Sequence, residues 1–409
     1  MKKLFLLAFL LPLLAVAQEK GMHFEHGATW AEIKAKAKAE NKYIFVDCFT
    51  TWCGPCKFMS ANIFPQEKVG AFMNEKYLNV KVQMDQTAKD NDEVKKWYAD
   101  AKQIEKEYSI RAYPTFLIFA PDGSIVDRQV GGADADEFIA RCTASLDPAQ
   151  QYYTQLDKYR NGQKDTAFLR QLALLALNKY DKDNAAAVAK DYLSKQTNLY
   201  TPVNIQFVDQ FTQSSKDPGF DMFLHHADKV NKVLGAGKAE AKIMEIAANE
   251  EIFPQLMKKD KSAPDWAAIE KNVKAKYPSV AEEVILKTKV QYYSYIKDGD
   301  NAVANIVAYM KKYGHNANPQ TLNEYAWTIF EKCNDKQCIE QALEWSKRSF
   351  KEQEIPAFMD TYANLLYKAG KKADALAWEE KAMNKAEGDE KKNYLSTLEK
   401  MKKGEKYWE

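Results

Sequence analysis

Thr51-Trp52-Cys53-Gly54-Pro55-Cys56-Lys57 joins a hydrophobic run to a helical pattern through two closely spaced thiols. Upstream, Tyr43-Ile44-Phe45-Val46-Asp47-Cys48-Phe49 is rich in β-branched and aromatic residues and predicts a buried strand. Downstream, Phe58, Met59 and Ile63 return at helical spacing. The cysteines therefore stand at a strand-to-helix junction. There the unpaired N–H groups and the dipole of the helix stabilise an anion such as a Cys53 thiolate. Cys53 is the expected nucleophile. Cys56, about one helical turn further on, is placed to attack a mixed disulfide on Cys53 and release the reduced partner. Half of a zinc site and a structural disulfide are the bland alternatives. No second CxxC and no cysteine–histidine pair lies at zinc spacing, so thiol–disulfide exchange is the preferred reading and no metal is expected.

WCGPCK after a hydrophobic strand resembles the active-site motif of the thioredoxin family, and other positions agree. Asp47, six residues before Cys53, matches the family's buried aspartate, which implies proton transfer to and from Cys56. Lys81, in Val80-Lys81-Val82-Gln83-Met84-Asp85, matches the strand lysine beside that aspartate. Pro114, in Arg111-Ala112-Tyr113-Pro114-Thr115-Phe116, matches the cis-proline next to the catalytic disulfide, where Tyr113 would offer backbone groups to an extended substrate. Gly131 matches the glycine bordering the substrate groove. Trp52, Gly54 and Pro55 complete the implied substrate contacts, and Lys57 reads equally as a neutralising or a solvated helix lysine. The resemblance implies a thioredoxin-like domain over residues 24–146. The charged stretch Asp92-Glu93-Val94-Lys95-Lys96-Trp97-Tyr98 and the Phe64-Pro65-Gln66-Glu67-Lys68-Val69 segment are similar to envelope thioredoxin-like domains, such as the one ending DsbD-type electron transporters.

Working outward, Met1-Lys2-Lys3, the apolar residues 4–14 and Ala15-Val16-Ala17 have the layout of a secretory signal peptide over residues 1–17. An uncleaved N-terminal anchor is the other reading. No further stretch approaches 18 uninterrupted apolar residues, so no membrane span is expected in the mature chain and the periplasm is its expected home. With 59 basic against 57 acidic residues, nothing in the charge calls for nucleic acid or an acidic membrane surface. Six cysteines in 409 residues do not make a disulfide scaffold, so the fold must rest on packing.

Thr29-Trp30-Ala31-Glu32 has capping-box spacing and opens a helix ending near Asn41. Residues 77–84 predict a second strand, and residues 115–120 and 125–130 an antiparallel hairpin around Pro121-Asp122-Gly123-Ser124. Residues 137–146 predict a closing helix, and Asp147-Pro148 the domain boundary. Beyond it apolar residues return only at helical spacing, which predicts an all-α domain over residues 149–315 and tetratricopeptide-like repeats over residues 316–409. The fold class expected is therefore an α/β thioredoxin fold followed by an all-α helical-repeat domain. The repeat reading rests on Tyr362-Ala363-Asn364-Leu365-Leu366-Tyr367-Lys368-Ala369-Gly370 and on Ala375, Ala382 and Trp378. Such helices serve either as mere packing or as a concave protein-binding face.

Cys48 and Cys142 read as buried structural thiols. Cys333 and Cys338, with four residues between them and lying between two helical patterns, are a candidate structural disulfide, with a second redox centre the lesser alternative. The five histidines are scattered without a ligand pattern, and no phosphate loop or nucleotide fingerprint appears, so no cofactor is expected. The function expected is a periplasmic oxidoreductase reducing protein disulfides through Cys53 and Cys56. Its partners are disulfide-containing envelope proteins, selected by the helical domain, and an upstream thiol–disulfide electron donor. The alternatives are an oxidant or isomerase, and a non-catalytic adaptor built on the helices.

Overall fold

The computed structural model describes residues 20–258 and 263–408. The expected signal peptide, residues 1–17, lies outside them. Among the described residues no helix is long and apolar enough to cross a membrane. The chain divides into two compact units, one running through Leu199 and the other starting at Tyr200.

The first unit is built on a four-stranded mixed sheet in the order β2-β1-β3-β4, with β1 at Tyr43–Phe49, β2 at Tyr77–Gln83, β3 at Thr115–Phe119 and β4 at Ile125–Val130. β1 runs parallel to β2 and antiparallel to β3, and β3 and β4 form the hairpin. Helix α1 (Trp30–Glu40) opens with the Thr29–Glu32 capping box and closes on Asn41 in the left-handed region. α2 (Gly54–Phe58) runs on as a π-turn at Met59–Ile63, followed by α3 (Glu67–Lys76), α4 (Asp92–Lys96), α5 (Tyr98–Glu107) and α6 (Ala135–Ala144). α5 extends the charged segment beyond the sequence signal, which ended at Tyr98.

Because a central strand buries both faces, β1 reads as a continuous apolar run broken only by Asp47. Ile44, Val46 and Cys48 share one core with Ile33 and Ala37 of α1 and Ala101 and Ile104 of α5. Phe45 joins the other core with Met59, Ile63, Val69 and Phe138. Side chains alternate along a strand, so Asp47 shares the face of Phe45, the face covered by the helix that carries the cysteines. On that side α3 packs at backbone contact: a β-carbon on Gly70 would lie 2.1 Å from the Gly21 carbonyl oxygen.

The compact unit continues past Asp147-Pro148. α7 (Tyr152–Arg160), α8 (Thr166–Asn178) and α9 (Lys182–Ser194) belong to the same unit, and α7 covers the edge strand β4. The tie is Asp127 of β4, 1% exposed. It accepts from Lys179 at 2.9 and 3.1 Å, Ser145 at 2.6 Å and the Arg128 and Tyr152 amides at 2.8 and 3.4 Å. Covering β4 removes an edge on which another chain would pair.

The second unit is all-helical among the described residues. It comprises α10 (Pro202–Phe211), α11 (Phe220–His225), α12 (Ala227–Leu234), α13 (Lys238–Ala247), α14 (Phe253–Leu256), α15 (Trp266–Lys276), α16 (Ala281–Tyr295) and α17 (Gly299–Tyr313). It continues through α18 (Pro319–Lys332), α19 (Lys336–Ser349), α20 (Pro356–Lys368), α21 (Lys372–Lys385) and α22 (Gly388–Lys403). Side-chain caps start α17, α18 and α19 at Asp298, Asn318 and Asp335. Small buried residues, Ala326, Ala342, Ala363 and Ala375, let consecutive helices approach around one core.

The candidate Cys333–Cys338 disulfide is not formed. Both residues are buried free thiols, Cys333 at the end of α18 and Cys338 in the first turn of α19. Burial and the neighbouring Cys333 sulfur push the Cys338 thiol up, which disfavours the thiolate that disulfide formation requires.

Candidate active site

β1 ends at Phe49 and the chain turns through Thr50-Thr51-Trp52 into α2. Asp85, just beyond β2, holds that turn: its carboxylate accepts from the Thr51 amide at 2.9 Å and from the Thr51 hydroxyl. Cys53 is the N-cap of α2, and its sulfur accepts from the Cys56 amide at 3.1 Å. Cys53 and Cys56 are joined as a disulfide with Cα atoms 5.3 Å apart. Once reduced, a thiolate on Cys53 keeps that amide donor and the helix N-terminus behind it. Pro55 inside the first turn costs no hydrogen bond there.

The opposite wall is the loop before β3. The Tyr113–Pro114 peptide bond is cis. The Thr115 hydroxyl donates to the Ala112 carbonyl at 2.7 Å and the Tyr113 hydroxyl to Glu105 at 3.1 Å, so both sides of the proline are anchored. Gly131, at φ 88°, donates its amide to the Pro114 carbonyl at 2.9 Å. A β-carbon on its neighbour Gly132 would meet Met59 and Pro55, which places this loop against the cysteine helix. Both cysteines are 3% exposed, whereas Trp52 is 68% and Phe58 51% exposed. The Trp52 ring meets Tyr113 edge-on at 5.9 Å. A nearly covered disulfide thus sits beneath an exposed aromatic rim.

Asp47 is 1% exposed and faces Lys81 across the β1–β2 pair, with the lysine nitrogen 3.7 Å from one carboxylate oxygen. The other oxygen has no hydrogen-bond partner. Burial raises its pKa to about 6, and the Lys81 charge opposes that shift without cancelling it. Lys81 is held in turn: it donates to the Ser60 hydroxyl at 2.6 Å and lies 5.1–5.5 Å from the rings of Phe24, Phe49 and Phe64. A carboxyl that titrates near neutrality on the helix-bearing face can take and return a proton during thiol exchange. Burial also pushes the Cys48 and Cys142 thiols up, so neither competes as a nucleophile.

Sequence reasoning did not find Asp85, Ser60, Glu105 or Gly132. Each acts through a contact 20 or more residues away or through the cis-proline loop, and none carries a local signal.

Residues 30–144 match the family model described as a thioredoxin-like domain. Over 91 residues the chain is 37% identical to the thioredoxin of Mycoplasmoides gallisepticum, a match covering 22% of this chain and 72% of that protein. The chain belongs to the thioredoxin family. Its thioredoxin-like domain is also 38% identical over 106 residues to thioredoxin-2 of Pyricularia oryzae, 26% of this chain and 51% of that relative, so the chain spans about half of its length. It is 28% identical over 110 residues to the thiol:disulfide interchange protein DsbD of Pseudomonas fluorescens, 26% of this chain and 17% of that protein. The Cys53–Cys56 disulfide lies within the matched thioredoxin-like domain.

Proposed function

We propose that this protein is a periplasmic thiol–disulfide oxidoreductase that reduces disulfides in envelope proteins. The observation that carries the reading is the Cys53–Cys56 pair at the start of α2, with Trp52 beside it meeting Tyr113 of the cis-Pro114 loop and buried Asp47 on the sheet face that the cysteine helix covers. In the reduced enzyme the Cys53 thiolate attacks one sulfur of the substrate disulfide. A mixed disulfide forms and the first substrate sulfur leaves, taking a proton. Cys56 passes its proton to a base, the role assigned to Asp47, and its thiolate attacks the Cys53 sulfur. The second substrate thiol is released and the Cys53–Cys56 disulfide remains. An upstream dithiol donor returns two electrons to complete the cycle.

Gly54-Pro55 between the cysteines, as in reducing thioredoxins, supports the reductive direction. The signal-peptide pattern of residues 1–17 and the likeness to a thiol:disulfide interchange protein support the envelope location. The tetratricopeptide-like hairpins of α18–α21 are assigned to partner engagement.

The test is Cys56→Ser expressed in the envelope. It is expected to accumulate mixed disulfides through Cys53, and the parent Cys53–Cys56 pair to equilibrate in graded dithiothreitol near about −270 mV. Absence of any trapped partner would sink the proposal, and a potential above roughly −180 mV would reverse its direction.

A further inference from the structure

In the second unit α18, α20, α22 and the segment after α22 enclose a cavity of about 510 Å³. Trp327, Phe330, Tyr407 and Trp408 form its aromatic wall, and Asp360 and Asn364 lie at its acidic end. The rings pack on one another, Phe330 lying 5.0 Å from Trp327 and 6.0 Å from Trp408. Asn364 donates to an Asp360 carboxylate oxygen at 2.9 Å and accepts from the Tyr407 hydroxyl at 2.8 Å, which fixes the acid relative to the wall.

Behind Asp360, Glu379 of α21 is 0% exposed and neither of its carboxyl oxygens meets a donor. It interacts with Asp360, itself an acceptor, so the two carboxyls can meet only by sharing a proton. A wholly buried acid with unmet oxygens is expensive and calls for a reason. No lysine or arginine among the described residues offsets either acid. The chain's own lysines meet the wall rather than the acids: Lys368 donates to the Phe330 carbonyl at 2.5 Å and lies over Phe330 and Trp408, Lys400 and Lys406 lie over Tyr407 and Trp408, and Lys332 lines the cavity.

We propose that this cavity binds an organic cation, an alkylammonium or guanidinium group, seated on Asp360 against the rings of Trp327, Phe330, Tyr407 and Trp408, with Glu379 supplying negative charge from behind. A carboxylate flanked by aromatic faces is the surface that attracts such a group, and the volume suits a small ligand or one long side chain. Burial raises both acids, and the neighbouring Asp360 raises Glu379 further, so the empty pair keeps a proton. The arriving cation takes the place of that proton, which passes to the buffer. The other ionisable groups facing the site are Glu331 and Lys332 of α18, Tyr394 of α22 and Tyr407. None has an ordinary pKa between those of a carboxyl and a phenol, so proton release near neutrality reports the acid pair.

The experiment is calorimetric titration of the full chain at pH 7 in two buffers of different ionisation heat. The probes are n-butylamine, N-acetyl-lysinamide and the neutral isostere N-acetyl-norleucinamide. The expected result is saturable binding of the two cations with proton release, no binding of norleucinamide, and at least about 10-fold weaker binding by Asp360→Asn. Tighter binding of lysinamide than of butylamine assigns the site to peptide side chains, and the reverse order to free amines. Cation binding must survive in Cys53→Ser/Cys56→Ser, which separates this site from the redox reading. Should Asp360→Asn not fold, Trp327→Ala gives the same test through the aromatic wall. Failure of both cations to saturate, equal binding of norleucinamide, or unchanged affinity in a folded Asp360→Asn would overturn the proposal.

Discussion

Replacing Asp47 by asparagine separates the energetic cost of this residue from its chemical use. Burial lifts the carboxyl from an ordinary 3.8 to about 6 in the folded chain. Each unit is worth about 1.4 kcal/mol, so an ionised Asp47 costs the folded domain about 3 kcal/mol at pH 7.5. Between pH 3.8 and about 6 the folded state holds a proton that the unfolded chain has lost. Stability is therefore greatest below 3.8, falls as the pH rises through about 6, and bears the full cost above it. Asparagine carries no such cost. The Lys81 pair that the variant forfeits is already counted in that shift, because the lysine charge opposes the rise, and Lys81 retains Ser60. The net expectation for Asp47→Asn is a gain of about 3 kcal/mol at pH 7.5 that shrinks to about zero at pH 3.5. Disulfide reduction by the same variant should slow by about 100-fold or more, as loss of a general base implies. The assay is urea unfolding of parent and variant across that pH range, followed by hydrogen exchange in peptides from β1, alongside reductase turnover. A stability difference equal at pH 3.5 and 7.5, or a variant less stable than the parent at pH 7.5, would refute the reasoning.

Gly70→Ala places a β-carbon 2.1 Å from the Gly21 carbonyl, a clash between backbones that no rotamer relieves, and should cost about 2 kcal/mol or more in urea unfolding of the first unit. Lys179→Met strips the cation from Asp127, whose side chain is 2% exposed, and should destabilise the same unit by about 3 kcal/mol or more, read from the urea midpoint. The double variant Lys179→Met/Asp127→Asn should recover part of that loss; if Lys179→Met alone is neutral, the contact joining α8 to β4 is not structural.

Most of the first unit was legible because its signals are local. The capping box at Thr29–Glu32, the apolar run of β1 and the Pro121-Asp122-Gly123-Ser124 turn each specify an element within a few residues. Cys53 and Cys56 were legible for the same reason, their spacing being a local geometry. Asp85 was not: its hold on Thr51 spans 34 residues and depends on where β2 ends. The reach of the first unit to Leu199 was also hidden, because the Asp127–Lys179 pair is 52 residues apart and a helical pattern after the hairpin reads alike whether it packs on the sheet or leaves it. Cys333 and Cys338 stand as free thiols, and a spacing in sequence does not fix whether two side chains pair.

Three buried acids show how donors, rather than burial alone, divide structure from function. Asp127 is as enclosed as Asp47, yet a lysine, a serine and two backbone amides occupy its oxygens, so the side chain is fastened into the fold. Asp47 has one lysine at 3.7 Å and one oxygen with no partner, which leaves it able to change charge near neutrality. Glu379 meets only another acid and is held protonated until a cation arrives. Where the fold needs a fixed carboxyl group it supplies partners for both oxygens. Where the chemistry needs a movable proton, on the face of β1 beneath the cysteine helix, it withholds one.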